Sequence, residues 1–257
     1  MKLLCKFLLM VGLPCCIVAQ QTDSQGRKQG VWTKYDAVSG DLLYRGTFAD
    51  DRPVGTFTFY YPGEQIKSIL HYKLDGKIIY AKLFHPEGTN MASGKYVGRE
   101  IRDSVWTFYD INGAILSVET YRYGKKHGPS VIYLPDGTKS REIIYRNDTL
   151  NGPVVEYLDG TQIKFKGFYK NGALEGEATY YRTDGTISST GQYRNGIREG
   201  FWMRMDKKTK SPVKEFYLNG QLLTESETRA HLEQLKKAKV PKSGFKTPVK
   251  TPSKRKS

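Results

Sequence analysis

Apolar and polar residues alternate along this chain in short runs, and each run ends in a polar turn. The stretch from Gly176 to Gly196 shows the unit. Glu177 to Arg182 alternates as a half-buried strand does, Thr183-Asp184-Gly185 turns, Ile187 to Arg194 forms a second strand, and Asn195-Gly196 leads into the next unit. Glycine tolerates a positive φ because it has no Cβ, and Asn-Gly or Asp-Gly pairs suit tight turns that match the twist of the flanking strands. Equivalent turn pairs stand at Ser39-Gly40, Glu87-Gly88, Asn112-Gly113, Asp136-Gly137, Asp159-Gly160 and Asp184-Gly185.

The units repeat with a fixed period. Aromatic residues at Phe48, Tyr72, Tyr96, Tyr121, Tyr145, Tyr169, Tyr193 and Tyr217 are 24 or 25 positions apart. A glycine series holds the same register at Gly30, Gly55, Gly128, Gly152, Gly176 and Gly200, with Tyr80 and Ser104 in the two remaining slots. A third series follows five positions later at Tyr35, Tyr60, His85, Tyr109, Tyr133, Tyr157, Tyr181 and Met205. These series predict about eight 24-residue hairpins in residues 30–223. No helix-length segment separates the strands, which excludes parallel βαβ units. The expectation is an all-β, elongated, twisted antiparallel sheet, in which each marginal hairpin is stabilised by its neighbours.

Two units depart from the pattern. The one from Gly76 to Gly98 carries Tyr80, Lys82 and His85 at anchor positions, and a local irregularity is expected there. The last, from Gly200, replaces the turn by Asp206-Lys-Lys-Thr-Lys210, as an end unit often does. Residues 224–239 then read as one helix with a Thr224/Glu227 capping box, a candidate cap for the end of the last hairpin.

Gly191-Gln-Tyr193-Arg-Asn-Gly196-Ile-Arg-Glu-Gly200 has the form G-x-Y-x-N-G-x-x-x-G, and Gly167 to Gly176 matches it. This resembles the MORN repeat, and more closely the MORN-variant repeats of bacterial proteins described as YwqK-type antitoxins. In that variant G-x-W-x-x-Y follows the linking turn, as in Gly30-Val-Trp32-Thr-Lys-Tyr35. The resemblance spans roughly Gly26 to Gln221 and implies an interaction scaffold, with an antitoxin or immunity protein as the alternative.

Composition refines this reading at the two ends. The 257 residues include 18 Tyr and 26 Gly, which suits many short strands. Lys2 and Lys6, an apolar run from Phe7 to Val18 and small Ala19 have the layout of a secretory signal peptide over residues 1–19. A linker over residues 20–29 follows it. That run is shorter than the ~20 residues needed to span a bilayer, so no transmembrane helix is expected after cleavage. Export to the periplasm, cell envelope or medium is therefore expected. Cys15 and Cys16 leave a lipoprotein as an alternative, although Pro14 or Cys15 stands where a lipoprotein box needs a small residue. All three cysteines lie in this segment, so the mature chain would hold no disulfide, thiolate or cysteine metal site.

The net charge of +15 is concentrated at the other end, where Lys236 to Ser257 carries nine Lys or Arg and no acid. Residues 240–257 are expected to be a disordered basic tail. Lys242, Lys246, Lys250, Lys254, Arg255 and Lys256 are either a solvated flexible end or a contact for anionic lipid or lipopolysaccharide. Export disfavours nucleic acid as their partner.

Catalytic chemistry is not indicated. His71, His85, His127 and His231 share no motif, and no nucleophile elbow, phosphate loop or dinucleotide fingerprint occurs. Asp136, Asp159 and Asp184 each precede a turn glycine and lack calcium-loop spacing, so they read as turn formers. No cofactor or metal is implied, and the chain reads as a non-enzyme. Side-chain alternation places the Tyr series on one face and Trp32, Phe57, Phe59, Trp106, Phe108 and Trp202 on the other. The less regular Trp/Phe set is the candidate surface for a protein or envelope partner.

Overall fold

A computed structural model describes residues 20–239, apart from 75, 99 and 207. The signal segment and the basic tail lie outside the described residues. The chain divides into two compact units, Met1–Gly172 and Ala173–Ser257.

The first unit is an antiparallel meander of thirteen strands. They are β1 (Gln21–Thr22), β2 (Lys28–Tyr35), β3 (Leu42–Ala49), β4 (Arg52–Tyr60), β5 (Ile66–Lys73), β6 (Ile78–Phe84) and β7 (Asn90–Val97). There follow β8 (Ile101–Tyr109), β9 (Ile115–Arg122), β10 (Lys125–Tyr133), β11 (Lys139–Arg146), β12 (Thr149–Tyr157) and β13 (Ile163–Lys170). Each strand pairs with the next in sequence. The second unit holds β14 (Ala173–Leu174), β15 (Gly176–Tyr181), β16 (Ile187–Arg194), β17 (Ile197–Met205), β18 (Pro212–Leu218), β19 (Gln221–Leu223) and helix α1 (Glu225–Lys239). From β15 to β19 its strands pair in order as well.

Two kinds of turn alternate, and each is set by its residues. In four repeats the loop has three residues and the last, Gly88, Gly113, Gly137 or Gly185, is left-handed. At Asp110 to Ala114, the Asp110 N–H donates to the Ala114 carbonyl (2.8 Å), and Gly113 takes φ +87°. The turn aspartates accept hydrogen bonds from the residue two positions on, as Asp184 does from the Thr186 N–H at 2.9 Å, so they close turns. Between most repeats the loop has two residues, both at positive φ, as at Asn195 and Gly196 (51° and 80°) or Asn147 and Asp148 (52° and 64°). That is the type I′ geometry that matches strand twist.

In the two-residue linking turns the second residue also reaches back to the repeat before it. The N–H of Gly124 donates to the Arg102 carbonyl (2.9 Å), Asp148 to Lys126 (2.9 Å) and Gly172 to Leu150 (2.8 Å). In the second unit Gly196 donates to Leu174 (2.8 Å) and Gly220 to Arg198 (3.1 Å). These bonds pin successive hairpin ends together at the period seen in the sequence.

The anchor glycine series marks a β-bulge. Between β9 and β10 the register slips at Gly128, and between β7 and β8 it slips at Ser104, which takes φ +61°. The departing repeat behaves differently. Where Tyr80 fills the anchor slot, β5 and β6 pair in one unbroken register from Ser68↔Leu83 to Lys73↔Ile78. The expected irregularity is thus an uninterrupted ladder, whereas the junctions β3–β4, β7–β8, β9–β10, β11–β12 and β16–β17 are bulged. The final hairpin is also straight, because the Asp206–Lys210 loop replaces the bulged turn.

Helix α1 begins with the expected capping box. The Thr224 N–H donates to the Glu227 carboxylate (2.8 Å), and the Glu227 N–H donates to the Thr224 hydroxyl (3.3 Å). Its His231 ring meets Phe216 of β18 at 5.7 Å. The helix therefore contacts a face of the last hairpin, where the sequence suggested a cap over its end.

Candidate binding surfaces

Directly paired residues in an antiparallel ladder project to one side. Starting from Trp32, that rule traces one row across the first unit. Trp32 pairs with Gly46, Phe57 with Leu70, Leu70 with Ala81, Ala81 with Gly94, and Trp106 with Glu119. The row continues through Ser130, Ile143 and Val154. In the second unit it runs Ala178, Gly191, Trp202 and Glu215. This is the covered face. Trp106 is 0% exposed, Trp202 1% and Phe57 3%.

Burial corrects the surface proposed from sequence. Phe57, Trp106 and Trp202 are core residues, and Trp32, Phe59 and Phe108 are half-buried against them or beside them. A ring with no solvent-accessible area cannot meet a partner without local unfolding. Lys242, Lys246, Lys250, Lys254, Arg255 and Lys256 lie outside the described residues.

Three features of the chain cover this face. Glycine makes room for each large ring: a Cβ on Gly46 would stand 2.3 Å from Phe57, on Gly94 2.3 Å from Trp106, and on Gly191 2.3 Å from Trp202. A neighbouring tyrosine meets the ring, as Tyr96 meets Trp106 at 4.7 Å and Tyr193 meets Trp202 at 5.2 Å. A cation four positions before each tryptophan lies over it: Lys28 over Trp32 (4.8 Å), Arg102 over Trp106 (5.1 Å) and Arg198 over Trp202 (4.3 Å). The Lys/Arg-x-x-x-Trp spacing was present in the sequence and could have revealed these pairs.

The Trp106 and Trp202 assemblies are the same construction, set 96 or 97 positions apart. The indole N–H of Trp106 donates to the Lys95 carbonyl (3.0 Å), and that of Trp202 to the Gln192 carbonyl (3.1 Å). Each tryptophan pairs with a glutamate, Glu119 or Glu215, which accepts a tyrosine hydroxyl two positions on. Those bonds are 2.5 Å from Tyr121 and 3.0 Å from Tyr217. Burial pushes the Glu119 carboxyl upward, but hydrogen bonds from Tyr121 and Lys126 and the Lys126 charge outweigh it and hold the group below its usual range. Burial, with the bond to Glu119 next, pushes the Tyr121 phenol up to about 12. These ionisable groups serve one another inside a packed structure.

Comparison with known proteins agrees with this architecture. A model of the MORN repeat variant matches residues 53–74, and a model of the MORN repeat matches residues 120–139, 165–187 and 190–201. The chain carries MORN repeats over these residues. No curated protein matches it. The antitoxin label belongs to the sequence resemblance alone.

The opposite face of the MORN hairpins is open. In the first unit, a groove of ≈ 560 Å³ is lined by His71, Tyr80, Lys82, Ser93, Lys95 and Val105. It lies across the repeat with the straight ladder, where His71 pairs with Tyr80 and Tyr80 with Lys95. Tyr80 is 51% exposed and Val105 53%. Lys95 is held by Asp103 at 3.0 Å, and the His71 Nδ1 meets the Thr56 hydroxyl at 2.8 Å. In the second unit a smaller hollow of ≈ 250 Å³ includes Thr190, Gln192, Phe201, Met203 and Lys214, with the Lys214 ammonium 3.9 Å from the Phe201 ring centre. Among the described residues no group of three His, Cys, Asp or Glu side chains converges as a metal site would require. No helix among them is long and apolar enough to cross a membrane.

Proposed function

We propose that this protein is an exported, non-enzymatic repeat scaffold that binds a protein or cell-envelope partner across its open β face. The observation that carries this reading is the contrast between the two faces of the MORN hairpins. One face uses its aromatic and charged groups on each other, while the other leaves Tyr80 and Val105 exposed in one groove, with β7 between them. Exposed large side chains flanked by polar groups are the usual material of an interface. Catalysis needs convergent acid, base or nucleophile positions, and the groups that are brought together here are the packed Glu–Tyr–cation sets.

The test has two parts. Mass spectrometry of the exported fraction is expected to find a mature chain starting at Gln20; only intact Met1 chains in the cytoplasm would overturn export. Affinity capture from the envelope should enrich a partner with the wild-type protein and lose it with Val105→Lys. Enrichment that is insensitive to this face would remove the face from the proposal.

A further inference from the structure

We propose that the open face of β5, β6 and β7 around Tyr80 binds an extended acidic peptide segment of a partner protein. This rests on the scaffold reading and names the chemistry of its partner. The first observation is charge. These three strands contain no Asp or Glu, and their lysines, Lys67, Lys73, Lys82 and Lys95, all alternate onto this one face, beside His71. The nearest strand acid is Asp103 on β8, and Lys95 already neutralises it. Lys82 makes no ion pair among the described residues. Lys67 rests over the Tyr61 ring at 5.6 Å. Apart from the Lys95–Asp103 pair the patch carries one sign, and it is complementary to a ligand of the other sign.

The second observation is shape. Elsewhere in this unit the anchor slot holds Gly or Ser at a positive φ and the strand kinks at a bulge. Tyr80 instead continues a straight ladder on both sides, from Ile69↔Lys82 to Lys82↔Ser93 and from His71↔Tyr80 to Tyr80↔Lys95. The straight segment places an exposed phenol in the same groove as Val105, with Lys82 and Lys95 also lining it. The groove is open along one side, so it offers a small molecule little enclosure. An extended chain gains from the whole row: carboxylates meet Lys82 and Lys73, and an apolar or aromatic side chain lies on Tyr80 and Val105.

The probe is a dye-labelled random Glu/Tyr copolymer, titrated by fluorescence anisotropy against the full chain and its variants. Tyr80→Thr and Lys82→Glu are each expected to weaken binding about fivefold or more, as truncation of an interface anchor does. Lys34→Glu, a charge-matched change on β2, should leave binding within about twofold, because its distance from the patch exceeds the screening length. Lys82 is a solvent-facing strand position, so its variant reports even if Tyr80→Thr melts early. Equal losses for Lys34→Glu and Lys82→Glu would overturn the proposal in favour of non-specific charge. So would dependence on Tyr80 and Lys82 seen only with phosphatidylglycerol vesicles or heparin. If the copolymer result is negative while envelope capture persists, the peptide proposal falls and the scaffold reading stands.

Discussion

The guanidinium of Arg198 lies 4.3 Å from the centre of the Trp202 ring, and its Nη1 also donates to the Tyr217 hydroxyl at 3.1 Å. Arg102 covers Trp106, Phe108 and Tyr121 in the same way, at 5.1, 5.3 and 5.5 Å. A cation over an aromatic face contributes roughly 0.5–2 kcal/mol, and its methylene stem covers ring edges that no second layer of structure covers. Arg198→Ala and Arg102→Ala should each lower stability by about 1–2 kcal/mol in denaturant titrations. Arg198→Met should recover part of that loss by packing alone. If Met matched Arg, the charge would have no part in covering the ring.

The absence of a Cβ on Gly94 is what lets Trp106 lie flat against the sheet, and this is testable separately from backbone freedom. Gly94 has no positive φ, so alanine there is strained by the ring, 2.3 Å away, and not by the backbone. Gly94→Ala is expected to cost about 1–3 kcal/mol through overpacking. Trp106→Ala alone should cost about 3–5 kcal/mol. In the double variant the new methyl group has no ring to strike, so the two losses should sum to more than the measured total. Simple additivity in the double-mutant cycle would show that the close approach carries no energy.

The hairpins were legible because two turn chemistries and three in-phase series repeat the same instruction many times. Asn195-Gly196 and Asp184-Gly185 each fix a turn by local residue preference, independent of what the strands pack against. The capping box at Thr224 and Glu227 was legible for the same reason. Burial was not. Alternation assigns Trp106 and Val105 to opposite faces, yet it does not say which face is covered. That depends on Gly94, Tyr96 and Glu119 arriving beside Trp106 from the neighbouring strands, a relation of register across repeats. Tyr80 looked like a defect in the motif for a similar reason: only pairing on both sides shows that it straightens the ladder and opens a groove.

Ser104 and Tyr80 occupy equivalent positions in the repeat but have opposite backbone needs. Ser104 sits at φ +61° in the bulge, a conformation that costs an L-residue roughly 1–2 kcal/mol. Ser104→Gly should therefore raise the unfolding midpoint, offset in part by the greater chain entropy of glycine. Tyr80 is an ordinary strand residue, and Tyr80→Gly should destabilise by about 0.5–1 kcal/mol even though it restores the repeat's consensus. Thermal melts of the two variants should move in opposite directions. A shift in the same direction would contradict the difference between the bulged and straight ladders.

The pair Glu119 and Tyr121 should give the protein a recognisable pH signature. Burial and the bond to Glu119 favour the neutral form of Tyr121 and push its phenol up to about 12, above the ordinary tyrosine range. A group with a raised folded pKa contributes stability that is complete below its unfolded pKa and is lost as pH rises towards the folded one. Tyr121 should therefore withdraw its contribution between about pH 10 and 12. Glu119 acts in the other direction: its carboxyl is held below the usual glutamate range, so its contribution is present above that range and fades as acid titrates the carboxylate. Tyr121→Phe is expected to flatten the alkaline limb of a stability–pH profile and to weaken the acid limb, because the phenol also helps hold the Glu119 carboxylate. Glu119→Gln should remove the acid contribution while leaving a smaller alkaline one, since burial of Tyr121 persists without the charge. Identical profiles for wild type and Tyr121→Phe would mean that the 2.5 Å bond does not couple these groups in solution.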